Sequence, residues 1–423
     1  MVRVLHHSRG VKALELIPRF KTVRQRSVSV CAPLCIEDHA IQSMPDASPA
    51  KWHLAHTTWF FESFVLMPLG LEAFDSRFGF LFNSYYDALG SRLPRERRGL
   101  ASRPPLEVVL AYRVEVDDRI SRLLTEAKID RGTAEIIELG IHHEQQHQEL
   151  LLTDLKHVLG TQPLQPAYRD DLHRDGTGTI MPLEWIEFDP EIVEVGAPER
   201  GFAFDNERPR HREINPGFRI ATRPVCNAEV LAFIGDGGYE EPRLWLADGF
   251  TAVKRDGWVA PLYWEHRDGT WLSYDLAGVS EVEPAETACH LSYYEADAIA
   301  RWAGARLPME REWEHAATGL RARDGHWADD DRLHPRAAGK GLAQVFGDVW
   351  EWTSSAYGPY PGFRPLAGVL GEYNGKFMSG QMVLRGGSCL TPRGHVRASY
   401  RNFFAPSARW QMTGVRLATD RGD

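Results

Sequence analysis

Two histidines one helical turn apart form the clearest chemical pattern in this sequence of 423 residues. His143 and His147 lie in the string HHEQQHQELLLTD, within a stretch whose apolar residues recur at helical spacing. Residues four apart share one face of a helix, so both imidazoles are predicted to point the same way, as a chelating pair requires. Imidazole nitrogen binds iron, zinc, copper and nickel, so the pattern predicts a metal site without fixing the metal.

The same string also contains HEQQH, which matches the HExxH pattern of zinc proteases. In such an enzyme Glu144 would be the general base, and a further ligand would follow at close downstream spacing. Neither a glutamate nor a third histidine is placed where a protease of that kind would supply it. A third interpretation is a polar helix face that binds no metal, and the pattern alone leaves all three open.

A second pair of histidines lies on another predicted helix, in the string KWHLAHTTWFFE. His53 and His56 are one turn apart, so either imidazole could face inward. Trp52, Trp59 and Phe60 give this helix a buried side. Histidines from two facing helices would form a site of three nitrogens with open coordination positions, where dioxygen and a sulfur ligand could bind.

The elements that must position these histidines are predicted to be helices of a four-helix bundle. Apolar periodicity predicts helices over 49–66, 105–127 and 133–159, and one more helix is expected near the N-terminus. A polar segment rich in Gly and Pro follows from Gly160 and is typical of a linker. The first domain is therefore predicted to span residues 1–160 and the linker residues 161–182.

The remainder of the chain, residues 183–423, has a different character. Frequent Gly, Pro and Trp between short apolar stretches predict short strands and long loops. Helices are expected at 293–302 and 310–317. The predicted fold class is therefore α+β, with a helical bundle followed by a domain rich in short strands.

Composition and charge narrow the range of functions. The formal net charge of -9 argues against general nucleic-acid binding, which needs a surplus of Lys and Arg. No apolar run approaches the ~18 residues of a membrane span, and the N-terminus lacks the pattern of a secretory signal. The five cysteines are sparse and lack the paired spacing of a zinc site. A cytoplasmic protein, monomeric or a small homo-oligomer, is expected.

Several longer motifs resemble one family of enzymes, in the same order and from about residue 49 to residue 417. They are WHLAHTTWFFE, LFNSYYDALG, HHEQQHQELLLTDLKH, FAFDNERPRH, LSYYEADAIARWAGARLPMEREWE, GDVWEWTSS, GEYNGKF, VLRGGSC and SYRNFFAPSARWQMTG. Together they resemble the sulfoxide synthases of ergothioneine biosynthesis, the EgtB-like enzymes. The first half is similar to the DinB-type bundle. The second half is similar to the formylglycine-generating-enzyme and C-type-lectin-like fold.

This resemblance implies a non-haem iron(II) enzyme that uses dioxygen to join a thiol to carbon 2 of the hercynine imidazole, giving a sulfoxide. It implies that His56, His143 and His147 bind the iron and that His53 does not. It also implies a tyrosine beside the iron, and Tyr85 and Tyr86 are the two candidates. The partners expected are small molecules, hercynine and its sulfur donor, with no nucleic acid and no membrane.

Residues for binding the two substrates are also implied by the resemblance. Hercynine carries a quaternary ammonium, which aromatic faces attract, and arginines can hold the carboxylate of the donor. The aromatic residues could instead serve only in core packing. The arginines could instead be simply exposed to solvent. The residues predicted to bind substrate are Gln146, Asn402, Phe403, Trp410, Gln411, Arg92 and Arg95.

The identity of the donor stays open. Where close relatives are expected to have Cys-Asn after GKFM, this chain has Ser379 and Gly380. Cysteine, gamma-glutamylcysteine and the selenosugar used by the similar selenoneine synthases are all compatible with the motifs. A non-catalytic DinB-type metal-binding protein is the alternative from another class. Occupation of the second domain by a calcium ion is likewise left open.

Overall fold

The computed structural model describes residues 13–126, 129–172, 174 and 178–422, and these residues divide into two compact units. The first unit comprises the described residues up to Leu164 together with Leu366–Tyr373. The second comprises the described residues of Gln165–Pro365 and those from Asn374 onwards. Residues 1–12 of the predicted first domain, the last residue of the helix predicted over 105–127, and residues 173 and 175–177 of the predicted linker lie outside the described ranges.

The first unit is helical, as predicted. Helix α1 packs on α4 and α5, and α2 packs on the same two helices, so four long helices form a bundle within the described part of the unit. A short helix, α3, lies between α2 and α4 in sequence. The bounds are α1 Ala13–Cys31, α2 Ala50–Phe61, α3 Phe78–Phe82, α4 Leu106–Thr125 and α5 Arg131–Thr161.

Local sequence explains where the helices that bear the histidines begin and end. Pro49 immediately precedes α2, and the Asp130 side chain accepts a hydrogen bond of 2.8 Å from the Thr133 N–H at the start of α5. The predicted helix 49–66 is α-helical only to Phe61, after which residues Glu62–Leu66 form a π-helical turn. Apolar periodicity does not distinguish these two forms here, because a single turn of five residues is too short to reveal a change of period.

One glycine sets the distance between the two helices that bear the histidines. A Cβ at Gly140 of α5 would lie 2.5 Å from the Phe61 ring and 3.0 Å from the Phe60 ring, both on α2. A Cβ essentially never comes as close as 2.5 Å to another side chain, so the absence of a side chain at Gly140 allows the two helices to approach closely. His143 follows Gly140 by less than one turn.

The second unit combines short helices with strands, which confirms the predicted α+β class. Its helices are α6 Asn227–Gly235, α7 Ala247–Asp256, α8 Tyr293–Trp302 and α9 Glu310–Ala316. The short helix α10, Glu372–Gly375, begins in the segment that belongs to the first unit and ends in the following segment of the second. Its strands are β1 Trp185–Phe188, β2 Glu191–Val195, β3 His211–Asn215, β4 Phe218–Pro224, β5 Trp264–Arg267, β6 Thr270–Asp275, β7 Gly278–Glu281, β8 Trp350–Ala356, β9 Met382–Arg385, β10 Asn402–Phe404, β11 Thr413–Gly414 and β12 Arg416–Asp420.

The strands form small sheets with mainly antiparallel pairing. Three have the orders β1-β4-β12, β2-β3 and β5-β6-β7, and the fourth has the order β10-β9-β8-β11 with β11 parallel to β8. Glu351 on β8 is fully buried and accepts hydrogen bonds from Arg416 on β12 and from the indole of Trp313 on α9. The ion pair with Arg416 joins two sheets, and the hydrogen bond from Trp313 joins α9 to them. Within the described residues, no helix is long and apolar enough to cross a membrane.

Candidate metal centre

Three histidines from α2 and α5 converge inside the helical unit. His56, His143 and His147 each offer a ring nitrogen within 4.8 Å of the other two, which makes them the one group of this kind among the described residues that could hold a metal ion. The Nε2 atoms of His56 and His143 are 3.2 Å apart. The rings of His56 and His143 each lie 4.6 Å from the ring of His147, measured between centroids.

A backbone carbonyl determines which ring nitrogen of His56 carries the proton. Nδ1 of His56 lies 2.6 Å from the Phe82 carbonyl oxygen, which can only accept a hydrogen bond. Nδ1 therefore donates, and a neutral His56 has its lone pair on Nε2, the nitrogen that lies close to Nε2 of His143. A metal-binding histidine commonly has such an outer partner, because it fixes both the ring orientation and the tautomer.

Burial keeps the three imidazoles neutral. All three are at most 7% exposed, and burial lowers the pKa of His143 to about 4. Burial, reinforced by the neighbouring histidines, holds the pKa values of His56 and His147 well below the ordinary value. Neutral imidazoles are the form that binds a metal ion.

These residues fit a divalent transition-metal ion. With metal–nitrogen distances of ~2.1 Å, two imidazoles at a right angle around one ion would hold their nitrogens about 3 Å apart. The separation of 3.2 Å between Nε2 of His56 and Nε2 of His143 matches this value. Three neutral nitrogen donors without a carboxylate leave the ion its full positive charge and open positions for anionic ligands.

A fourth histidine, His53, lies behind His147. Its Nδ1 is 2.9 Å from Nδ1 of His147, and its Nε2 is 3.0 Å from Oδ2 of Asp154. The spacing of the histidines left the role of His53 open, and the family resemblance implied only that it does not bind the iron. The pattern contained one signal, since Asp154 follows His147 by two helical turns and therefore lies on the same face of α5.

Aromatic and cationic groups complete the surroundings of His56. The Trp52 ring stacks on His56 with centroids 4.5 Å apart. The Arg98 guanidinium lies over the Trp52 ring, 3.4 Å from its centroid. Arg98 is 3% exposed and donates to the hydroxyls of Ser48 and Ser84, both at 2.9 Å. Burial lowers the pKa of Arg98 to about 9, which still leaves a positive charge near the histidines at neutral pH.

The HExxH interpretation is excluded by the position of Glu144. This carboxylate is fully buried and accepts hydrogen bonds from Arg24 at 2.9 Å, Arg113 at 2.8 Å and Ser27 at 2.6 Å. Burial opposes its ionisation, but the two guanidiniums hold the pKa of Glu144 down to about 2. A carboxylate held in this way is a weak base and cannot activate water, so it ties α1 and α4 to α5 instead.

The two candidate tyrosines differ in their surroundings. Tyr86 is buried, with its ring 5.9 Å from that of Trp59 and 4.9 Å from that of Phe64. Tyr85 is half-buried and interacts electrostatically with Arg98. Trp59 stacks on His56 at 5.7 Å, so Tyr86 approaches the histidines through one intervening ring.

The predicted arginines already have partners in the helical unit. Arg92 pairs with Asp87 at 3.0 Å, and Arg95 bonds the Asp46 backbone and lies 3.6 Å from its carboxylate. Gln146, on α5 next to His147, is half-buried. The structure therefore places all three in the same unit as the histidines, while their binding roles stay predictions.

Comparison with known proteins agrees with this architecture. Residues 19–151 match the DinB superfamily, and residues 189–340 and 334–421 match the sulfatase-modifying factor enzyme 1-like domain. The hercynine oxygenase of Mycolicibacterium thermoresistibile is 38% identical over 66% of this chain and 68% of its own length. The chain belongs to the hercynine oxygenase family. The family resemblance predicted from the motifs, and the prediction of an oxygenase enzyme, are therefore confirmed.

Two further members of the hercynine oxygenase family show similar agreement. The protein of Mycolicibacterium smegmatis is 37% identical over 67% of this chain and 71% of its own length. That of Mycobacterium tuberculosis is 36% identical over 68% of this chain and 72% of its own length. The similarity thus covers about the same share of each chain in all three relatives.

The remaining predicted residues of this hercynine oxygenase family member lie in the second unit. Asn402 and Phe403 are half-buried on β10, and the Phe403 ring stacks on Tyr357 with centroids 4.0 Å apart. Trp410 packs edge-on to Phe404. The indole Nε1 of Trp410 and the amide Nε2 of Gln411 are buried and have no acceptor among the described residues. Two buried donors of this kind are suited to an acceptor group on a ligand.

Proposed function

We propose that this chain uses iron(II), bound by His56, His143 and His147, and dioxygen to join a thiol to carbon 2 of the hercynine imidazole, giving a sulfoxide. The donor is cysteine or gamma-glutamylcysteine. The observation that carries this proposal is the convergence of three buried, neutral imidazoles in a member of the hercynine oxygenase family. When bound, the iron supplies one-electron chemistry with dioxygen, and the positive charge of a site without carboxylate ligands favours a thiolate.

The proposed reaction balances without an external reductant. The thiol loses its S–H hydrogen, the imidazole loses the hydrogen on carbon 2, and a C–S bond forms between them. One oxygen atom of O2 ends on sulfur, and the other leaves as water with the two hydrogens. One O2 is therefore consumed for each sulfoxide formed.

Substrate-binding roles are proposed for residues of each unit separately. Arg92 and Arg95 are proposed to hold the carboxylate of the donor through bidentate contacts, in exchange for their present partners Asp87 and Asp46. Within the second unit, the aromatic faces of Phe403 and Trp410 are proposed to attract the quaternary ammonium of hercynine, and Asn402 and Gln411 to bind its polar groups. The buried Nε2 donor of Gln411 supports this assignment. Within the first unit, Gln146, which is adjacent to His147 on α5, is proposed to hydrogen-bond the substrate imidazole.

Turnover with defined substrates tests the proposed function. Iron(II)-loaded protein is mixed with hercynine and, in separate arms, with cysteine, gamma-glutamylcysteine or a selenosugar, while oxygen uptake and product mass are followed. We expect sulfoxide formation with one of the thiols and one O2 consumed per product. Turnover confined to the selenosugar would assign the chain to selenoneine synthesis, and metal binding without oxygen uptake in any arm would refute the proposal.

A tyrosine hydroxyl is proposed to donate a proton to the oxygen-derived group during the reaction, as a phenol held at hydrogen-bond distance can do. Replacing both Tyr85 and Tyr86 with Phe is expected to slow sulfoxide formation by ~10²–10⁴-fold or to divert turnover to plain thiol oxidation. The ratio of sulfoxide to disulfide, measured for the double variant and each single variant, identifies the acting residue. Tyr274→Phe, at a tyrosine of the second unit whose hydroxyl bonds the Pro166 carbonyl, is the control. A wild-type product ratio and rate in the double variant would remove both tyrosines from the mechanism.

A further inference from the structure

The pair formed by His53 and Asp154 lies directly behind one of the three converging histidines. We propose that this pair positions His147, fixing its ring orientation and its tautomer for metal binding, a role that rests on the proposed metal site. His53 and Asp154 are each 3% exposed. His53 bridges His147 and Asp154 through contacts of 2.9 Å and 3.0 Å.

The donors and acceptors of these two hydrogen bonds can be assigned by starting from the Asp154 carboxylate. The Asp154 carboxylate can only accept, so Nε2 of His53 donates to it. A neutral His53 then has its lone pair on Nδ1, which accepts from Nδ1–H of His147. His147 is thereby left with its lone pair on Nε2, which is then available to coordinate a metal ion. The opposite arrangement would place a proton on that nitrogen and prevent coordination.

Asp154 is itself held in place by the chain around it. The Ser48 N–H donates to the same Oδ2 atom at 2.7 Å, so that atom receives two hydrogen bonds. The Ser48 hydroxyl accepts from Arg98, whose other terminal nitrogen donates to the hydroxyl of Ser84. Ser84 immediately precedes Tyr85. One buried network therefore connects a ligand histidine with the loop that carries the candidate tyrosines.

The cost of losing such a pair can be given as a range. Removing an outer partner of a metal-binding histidine typically reduces metal affinity ~10–100-fold, because the ring loses its fixed orientation. A role in packing alone predicts a different outcome, in which stability falls and metal affinity does not. Metal affinity therefore separates the positioning role from a structural one.

The experiment measures the affinity of the full chain for Co²⁺ by competition with a chelator, and follows the visible absorption of the bound ion. His53→Phe retains a ring but no acceptor, and we expect its affinity to fall ~10–100-fold. His53→Gln is expected to recover much of this loss, because its amide oxygen can accept from His147 and its amide nitrogen can donate to Asp154. His39→Phe is the matched control, since His39 is buried in the same unit and bonds the Cys35 carbonyl.

A second pair of variants keeps the test informative if His53→Phe folds poorly. In Asp154→Asn the Ser48 N–H requires an acceptor at the Oδ2 position, so the amide oxygen should occupy it and still accept from His53. The tautomers of His53 and His147 are then preserved, and Co²⁺ affinity should fall less than in Asp154→Leu. Wild-type affinity and spectrum in both His53→Phe and Asp154→Leu would overturn the positioning role while leaving the proposed function intact. Failure of the wild-type chain to bind Co²⁺ or Fe²⁺ would overturn the metal site itself.

Discussion

His147→Ala is expected to abolish metal loading and turnover. The variant removes one of three nitrogen donors and also leaves Nδ1 of His53 without the donor it now contacts at 2.9 Å. The loss of affinity should exceed the ~10–100-fold cost of losing an outer partner, because a coordinating atom itself is removed. Metal content after dialysis against a weak chelator, together with oxygen uptake, measures the effect.

His157→Ala provides the matched control on the same helix. The His157 ring contacts the Ser43 hydroxyl at 2.6 Å and is not one of the three converging histidines. This variant should retain metal and turnover. A fully active His147→Ala protein with one bound iron would refute the assignment of His147 as a ligand.

Glu144→Gln is expected to lower the free energy of unfolding by ~3–5 kcal/mol. The substitution keeps the shape of the side chain but leaves the buried guanidiniums of Arg24 and Arg113 without the charge that now compensates them. Such a loss is a large share of the ~5–15 kcal/mol that stabilises a typical domain. Urea unfolding followed by far-ultraviolet circular dichroism, which reports mainly the helical unit, measures the change.

The dependence of unfolding free energy on pH gives an independent measure of how much the Glu144 carboxylate stabilises the protein. The folded-state pKa of Glu144 is about 2, below its ordinary value of 4.5. Its stabilising contribution is therefore complete above 4.5 and is lost as the pH falls towards about 2. Glu144→Gln should flatten this part of the stability profile.

Glu135→Gln is the matched control for this charge. It removes an i,i+4 partner of Arg131 on the same helix, where both side chains are partly exposed, and should cost no more than ~0.5 kcal/mol. If Glu144→Gln is as stable as Glu135→Gln at neutral pH, the buried ion pairs do not hold the bundle together.

The helices and the pairing of His143 with His147 could be predicted from the sequence because both depend on local spacing. The helix predicted over 133–159 is observed at Arg131–Thr161, and that predicted over 293–302 is observed with the same bounds. His143 and His147 share a face by virtue of being four residues apart. The selection of His56 rather than His53 came from family resemblance, since both are buried on α2 and periodicity treats them alike.

What could not be predicted depends on contacts between residues distant in sequence. The string HEQQH gives no indication that Glu144 is bound by Arg24 and Arg113, which lie 120 and 31 residues away. His53 acquires its position behind His147 only when α2 and α5 pack, and Asp154 is 101 residues from it. The π-helical turn after Phe61 could not be predicted from periodicity, because it is only five residues long. Patterns of spacing identify which residues can meet a metal, whereas the groups that orient them follow from tertiary packing.

The helical unit is discontinuous in sequence, because Leu366–Tyr373 belongs to it. Within this unit the Glu372 carboxylate accepts from the backbone N–H groups of Asp87 and Ala88, directly after the two tyrosines. During synthesis the four long helices leave the ribosome some two hundred residues before Glu372 does, although N-terminal domains usually fold first. A nascent or truncated bundle would therefore bring its histidines together while the loop of Tyr85 and Tyr86 still lacked its anchor, so this loop is completed only after the chain has been synthesised as far as Glu372.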